Sequence, residues 1–388
     1  MIALVNHHVE MGGAEVALLR LVDALGDRHE FEAFLPRAGP LADALRQRGV
    51  PVRVIPMPRG SLVAGRGNSL RLLTSLVGGV LSWPAALRAL ADGLRGADLV
   101  LTGSTKAHLY GGLAARMAGR PLAWWLHDVV DRTTFGFLAR AVVRAAARYM
   151  PHRILAVSRA AALSLKLHGD DARVRVLYNG IRERHRNSGM SGEQLGNCGE
   201  PRVGWIGRLV PSKGPDVFLR MAARVSAEIP SARFVLVGGE DPRERAFAES
   251  LRRLPDKMGI GDRVELPGYQ DDLDAILDHL TVLAFTSVAS DSLPTVILEA
   301  MSAGVPVVAF AVGGVGEIIE TGRSGYTVPA GDEGALAERV LALLGSRPRR
   351  RALTEMGRRR IREAFSWDRW VEAWDREIRD LMGSESES

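Results

Sequence analysis

Short apolar runs alternate along this chain with longer stretches of helical periodicity. In the first half the runs are IALVNH, FEAFLP, VPVRVIPM, ADLVLTGS, PLAWWLHD, RILAVS and VRVLYNG. In the second they are RVGWIGRL, ARFVLVGG, RVELPGY, TVLAFTS, VPVVAFAVGG and GYTVPAG. They lack the strict alternation of a sheet with one wet face, and fit parallel strands covered by helices on both sides. The strand–helix rhythm occurs twice, which predicts two doubly wound α/β domains. The first is expected over 1–185 and the second over 201–367. Between them, 186–200 is polar, glycine-rich and aperiodic, and reads as a linker. Near the end, Trp367, Trp370, Val371 and Trp374 recur at three-to-four spacing, so a helix there needs a large apolar surface to rest on. The last residues, 383–388, read as a disordered tail.

A length of 388 residues agrees with two domains. The single cysteine, Cys198, excludes an internal disulfide and a multi-cysteine metal site, and suits a reducing cytoplasm. The start, MIALVNHHVEMGG, lacks the basic region of a secretion leader. One long uncharged stretch, Leu72 to Leu87, is shorter than the roughly 18–20 residues that span a bilayer, and Pro84 interrupts it. A cytoplasmic protein is expected, peripheral at the inner membrane face if it meets lipid at all. The net charge of +6 hides an asymmetry. Residues 1–186 carry 26 Lys and Arg against 14 Asp and Glu, a net +12, which leaves −6 on the rest. A basic half of this kind points to something anionic: a phospholipid surface, a phosphorylated acceptor or nucleic acid.

Ligands of open α/β sheets bind beyond the carboxyl ends of the strands, and four clusters fall at such ends. Gly12 and Gly13 follow the first run and open an amphipathic helix, where free N–H groups attract phosphate. In GWIGRLVPSKGPDVF, Arg208 and Lys213 stand between a strand and a helix beginning near Pro215, flanked by Gly207 and Gly214. That is a fit clamp for a diphosphate. His127 ends the run AWWL and is placed to take a proton or to hydrogen-bond a substrate hydroxyl. In SVASDSLPTVILEAMSAGVPVVA, Asp291 precedes a helix that begins near Pro294 and Thr295 and ends at Gly304. Glu299 lies about one and a half turns inside it. Gly313, Gly314 and Gly316 form a further turn ahead of Glu317.

These elements, in this order, resemble the retaining GT-B glycosyltransferases of family 4, also called group 1. The resemblance rests on GGAE, GRLVPSKG, the acid-x7-acid block with LPTVILEAMSAGVPVVA, and GGVGEII followed by SGYTVPAGD, and it spans almost the whole chain. It implies two Rossmann-like domains facing a cleft, an acceptor-binding first domain, a nucleotide-sugar-binding second domain, and a last helix (368–382) crossing back to the first. It implies that Arg208 and Lys213 bind the pyrophosphate and Glu299 the ribose hydroxyls. Asp291 would contact the transferred sugar, with Pro294 and Thr295 beside it. Gly13 would bring backbone to the phosphate, and His127 would stand beside the sugar. The implied reaction is transfer with retention, in which the departing phosphate oxygen takes the acceptor's proton. No metal and no cofactor are implied, since the nucleotide-diphosphate sugar is a substrate. One position departs from the family: the first acid is Asp291, where Glu is usual. Its carboxylate sits about one C–C bond, ~1.5 Å, further back.

UDP-sugar is the favoured donor and GDP-mannose the alternative, with residues near PGYQDD and VGGED lining the base site. The acceptor is a hydroxyl of a cell-envelope glycan, a glycolipid or a natural product. Other classes remain in view: a nucleotide-sugar epimerase on the same fold, and a non-catalytic nucleotide-sugar-binding partner. A dinucleotide oxidoreductase is disfavoured because the first turn lacks G-x-G-x-x-G. A nucleic-acid partner is not expected. Arg140, Arg144 and Arg148, at i, i+4 spacing, share one helix face that either lies on an anionic membrane or is an ordinary protein surface.

Overall fold

The computed structural model describes residues 1–58, 83–168, 170–184 and 200–383. The expected linker (apart from Glu200), Cys198, most of Leu72–Leu87 and the tail beyond Gly383 lie outside them. The chain divides into two compact units, Met1–Asn179 with Asp368–Ser388, and Gly180–Trp367.

The first unit is built on seven parallel strands: β1 Ile2–Val5, β2 Phe31–Leu35, β3 Val52–Val54, β4 Leu99–Thr102, β5 Leu122–Leu126, β6 Arg153–Ala156 and β7 Val174–Val176. Their spatial order is β3-β2-β1-β4-β5-β6-β7. Helices Gly13–Leu25 and Pro40–Gln47 lead outward from β1 one way. Helices Thr105–Ala118, Phe137–Tyr149 and Arg159–Ser164 lead outward from β4 the other way. Parallel crossovers are right-handed, so opposite directions of travel put the two sets on opposite faces. That is why the strands read as continuous apolar runs. In β5 every residue is buried, and its two tryptophans point to opposite faces. Trp124 stacks on His108 of Thr105–Ala118 at 4.6 Å, and Trp125 meets Trp374 at 4.5 Å.

Trp374 belongs to the last helix, Trp367–Gly383, whose residues from Asp368 on join the first unit. Its buried side chains Trp370, Trp374, Ile378 and Leu381 repeat at helical spacing. Polar contacts fix its register. Buried Asp375 accepts from Arg28 at 2.9 Å and pairs with His29 at 2.8 Å, and Glu377 lies 3.4 Å from Arg153.

The second unit repeats the plan with six parallel strands: β8 Arg202–Ile206, β9 Arg233–Val237, β10 Val264–Gly268, β11 Val282–Phe285, β12 Val307–Phe310 and β13 Tyr326–Val328. Their order is β10-β9-β8-β11-β12-β13. Pro267 lacks an N–H donor and sits in the edge strand β10, where that loss is tolerated. The boundary between units falls at Gly180, ahead of the expected 185. Residues 181–184 are tied to the second unit by backbone. Ile181 N–H donates to Phe365 O at 2.8 Å, and Arg184 N–H donates to Ser302 Oγ at 3.1 Å. Arg182 lies 4.5 Å above the Trp367 ring.

Candidate active site

In each sheet the strand order reverses direction at one place, between β1 and β4 and between β8 and β11. Crevices at such points take ligands in open α/β sheets. In the second unit, Arg208 and Lys213 follow β8 and Asp291 follows β11, so these three flank its switch point.

Two loops there are stitched together by backbone. Ser212 O accepts from Val288 N–H at 3.0 Å and from Ser287 Oγ at 3.1 Å. Thr286 Oγ1 donates to Gly214 O at 2.7 Å and accepts from Trp205 Nε1 at 2.9 Å. Gly214 adopts φ +65, and a Cβ there would overlap Thr286 O, so only glycine lets the loops close this tightly. The stitching places Lys213 Nζ on Asp291 Oδ2 as a hydrogen-bonded ion pair, with both side chains partly buried. From the other side, Asp291 O accepts Gly314 N–H at 2.8 Å. Gly313, at φ +53, packs so closely on that carbonyl that a Cβ would overlap it. The glycine turn after β12 is therefore part of what holds Asp291.

Arg208 is more open, with its side chain 58% exposed, and its guanidinium lies 3.7 Å from Asp241 Oδ2. Asp241 is gripped more tightly by Arg243, at 2.9 and 2.6 Å, and by the Arg243 N–H at 3.0 Å. The Arg243 hydrogen bonds, with Arg208 adding to the field, hold its carboxyl down at about 2. The sequence does not single out Asp241; its cue is a caplike acid ahead of Pro242 within VGGED, a stretch expected at the base site.

Pro294 is the N-cap of helix Thr295–Ala303, and Gly304 closes it in the left-handed region. The first N–H groups of a helix have no intrahelical acceptor and favour an anion. Glu299 lies within this helix and is half-buried.

In the first unit, Gly12 is the N-cap of Gly13–Leu25, and a Cβ added to Gly13 would meet nothing within 4 Å. The turn is anchored by a residue left out of the expected site. Glu15 is buried and accepts from buried Asn6 at 3.2 Å. The E of GGAE was the cue. His127 follows β5, with its ring 4.5 Å from that of Trp125. Burial lowers its pKa to about 3, so it stays neutral across the working range. A neutral imidazole can both donate and accept a hydrogen bond.

Near His127 lies a second histidine that sequence reading missed. His108 is 1% exposed. Thr102 Oγ1 donates to Ala123 O at 3.3 Å, so its 2.7 Å contact with His108 Nδ1 has the imidazole donating. Nε2 is then a buried acceptor with no hydrogen-bond partner among the described residues. Burial, aided by His127, lowers the pKa of His108 from 6.5 to about 3. The unfolded chain therefore binds a proton near pH 6.5 that the folded chain refuses until about pH 3. The stability this gives is complete above pH 6.5 and is lost as pH falls toward 3, at about 1.4 kcal/mol per pH unit. His108→Gln should be less stable at pH 7 yet show a shallower loss between pH 6.5 and 4.5. Urea unfolding of the first unit at several pH values reads this, and equal slopes in the two proteins would refute it.

Comparison with known proteins gives the same picture from outside. Residues 11–184 match the family described as Glycosyltransferase Family 4, and residues 200–346 match Glycosyl transferases group 1. The chain is 32% identical over 356 residues to a 2-deoxystreptamine N-acetyl-D-glucosaminyltransferase of Streptomyces fradiae, covering 84% of this chain and 81% of that protein. A D-inositol 3-phosphate glycosyltransferase of Mycobacterium tuberculosis (strain F11) is 31% identical over 229 residues, 56% of this chain and 46% of that protein. Among solved structures, Anabaena Alr3699/HepE in complex with UDP and glucose matches with a TM-score of 0.82 at 23% identity, over 97% of this chain and 98% of that one. Sucrose-phosphate synthase from Thermosynechococcus elongatus matches at 0.76 and 20% identity, over 99% of both chains. Two parallel-sheet Rossmann-like units, matched over nearly their full length by these structures, make the fold GT-B. The chain belongs to the group 1, family 4 glycosyltransferases.

Proposed function

We propose that this enzyme transfers a sugar from a UDP-sugar to a hydroxyl acceptor with retention of anomeric configuration, without a metal or other cofactor. The observation that carries the reading is the constellation of Arg208, Lys213 and Asp291 around the β8/β11 switch point, beside the helix that bears Glu299. As the glycosidic bond breaks, negative charge grows on the diphosphate. Arg208 and Lys213 stand ready to stabilise it, with N–H groups at the start of Thr295–Ala303 adding to the field. Glu299 takes the ribose hydroxyls, Asp291 orients the sugar beside Pro294 and Thr295, and Gly13 admits a phosphate to bare backbone. Neutral His127 donates or accepts a hydrogen bond to a sugar hydroxyl. The diphosphate oxygen leaving the sugar takes the acceptor proton on the same face, so no side chain here is a nucleophile.

The choice of uracil rests on HepE, which is bound to UDP and glucose. The Streptomyces relative, named for moving N-acetylglucosamine, adds UDP-N-acetylglucosamine to the donors worth testing. A thermal-shift panel of UDP, GDP, UDP-glucose, UDP-N-acetylglucosamine and GDP-mannose tests it. Selective stabilisation by uridine nucleotides that grows with concentration is expected, about 2.7 kcal/mol at a hundredfold excess over Kd. Selective stabilisation by GDP-mannose would replace the donor assignment. Turnover that survives EDTA and gives the α-product from an α-donor supports the rest. An inverted product or strict metal dependence would defeat it.

A further inference from the structure

The basic helix Phe137–Tyr149 does not present the arginine face that its spacing predicts. Arg140 donates to Phe135 O at 2.7 Å. Arg144 donates to Ser164 O at 3.0 Å and to Val130 O at 2.8 Å. Those two guanidiniums are tied to backbone carbonyls. What the helix turns outward instead is apolar: Leu138, Ala141, Val142, Ala145 and Tyr149 are all exposed, and they share one face. Phe137, at its start, is 81% exposed.

The neighbouring helices extend that face. Thr105–Ala118 and Arg159–Ser164 lie on the same side of the sheet. Arg116 reaches Tyr149 O at 3.1 Å, and Arg144 reaches Ser164 O, so the three helices are adjacent. Thr105–Ala118 exposes Leu113 and Met117, and Arg159–Ser164 exposes Leu163. Seven of the twelve large apolar side chains exposed among the described residues thus sit on this one layer. A run this concentrated marks an interaction surface, where scattered single residues would not.

Its charge says what kind. The three helices contain no Asp or Glu, while Arg116, Arg148 and Arg159 are exposed on them, and Arg132 and Lys166 are exposed just outside. We propose that this layer docks on the surface of an anionic phospholipid bilayer. A second copy of the chain would set arginine against arginine with no acid on the three helices to meet it. A protein partner needs acceptors as well as donors, about one hydrogen bond per 100–200 Å² of interface. Phe137–Tyr149 offers only guanidiniums and one phenol hydroxyl. An anionic bilayer satisfies both halves of the pattern: acyl chains for the apolar ridge and headgroups for cations whose stems lie along it. Tyr149, at one end of the ridge, has the amphipathic ring that settles at headgroup depth, and Phe137, at the other, adds to the apolar face. Among the described residues no helix is long and apolar enough to cross a membrane, and the docking proposed is to the bilayer surface. It does not depend on the donor or on the reaction.

Flotation of the full chain with vesicles tests the surface without turnover. Binding to vesicles containing phosphatidylglycerol is expected at low salt. It should be about tenfold or more weaker with phosphatidylcholine alone, and should fall as salt rises. Phe137→Asp with Leu138→Asp should abolish flotation. Both residues are exposed, so the unfolding temperature should hold. Arg116→Glu with Arg148→Glu should remove the preference for the anionic lipid. No binding to phosphatidylglycerol, or binding that these variants leave intact, overturns the proposal. So does a dimer in solution that Phe137→Asp with Leu138→Asp dissolves, which would assign the face to a second copy.

Discussion

Arg208→Ala and Lys213→Ala should each lower kcat/KM for sugar transfer by about 10²–10³-fold, the usual cost of removing one preorganised donor to a developing negative charge. Neither change should unfold the protein. Arg208 is mostly exposed, and Lys213 sits on a loop whose closure depends on Ser212, Gly214 and Thr286. On the proposed reading both cations serve one diphosphate and act as a unit, so the loss should not be additive. Arg208→Lys should recover only part of the activity, since a point charge replaces a fork that can hold two oxygens. Steady-state rates with saturating acceptor, alongside unfolding temperatures, check all three. Near-normal turnover by the double variant would refute the assignment of these residues. A parallel fall in unfolding temperature would move them from the chemistry to the scaffold.

The fold was legible because burial on both faces of a parallel sheet leaves a plain trace. Apolar runs such as AWWL and VVAF carry no alternation, and glycine or proline marks where each run turns. The helix bounds at Pro215, Gly304 and the last tryptophan repeat were readable for the same reason. Candidate site residues stand out where a charge breaks an apolar context at a strand end, as with Arg208 after β8 and Asp291 after β11. Others were hidden because their roles depend on partners distant in sequence. Asp241 looks like a turn residue until Arg208 is found beside it, and His108 looks like a helix residue until Trp124 and Thr102 enclose it. The helix Phe137–Tyr149 shows the opposite error. Its arginines recur every fourth residue, yet spacing does not say which face meets the core. A long guanidinium at a half-buried position can leave solvent for a carbonyl, and Arg140 and Arg144 do so.

Asp291→Asn should slow transfer yet tighten the binding of UDP. The carboxylate is paired with Lys213, so a diphosphate held by that cation shares it with Asp291 and feels its negative charge. A unit charge at about 5 Å and an effective dielectric of about 20 opposes an anion by about 3 kcal/mol before ionic screening. Even half of that leaves about a tenfold gain in UDP affinity when the charge is removed. Turnover should fall by about 10²-fold, because an orienting contact to the sugar is lost. The two signs together separate the roles. If Asp291 served only to place Lys213 on the diphosphate, UDP would bind more weakly in Asp291→Asn. If it touched only the sugar, UDP would bind unchanged while UDP-sugar weakened. Titration calorimetry with UDP and with UDP-sugar, beside rates, distinguishes the three. Gly313→Ala provides an independent arm, since its Cβ displaces the Asp291 carbonyl and moves the carboxylate without neutralising it. Transfer should then fall with no gain in UDP affinity. Tighter UDP in that variant as well would mean that the position of the acid, and not its charge, sets the competition for Lys213.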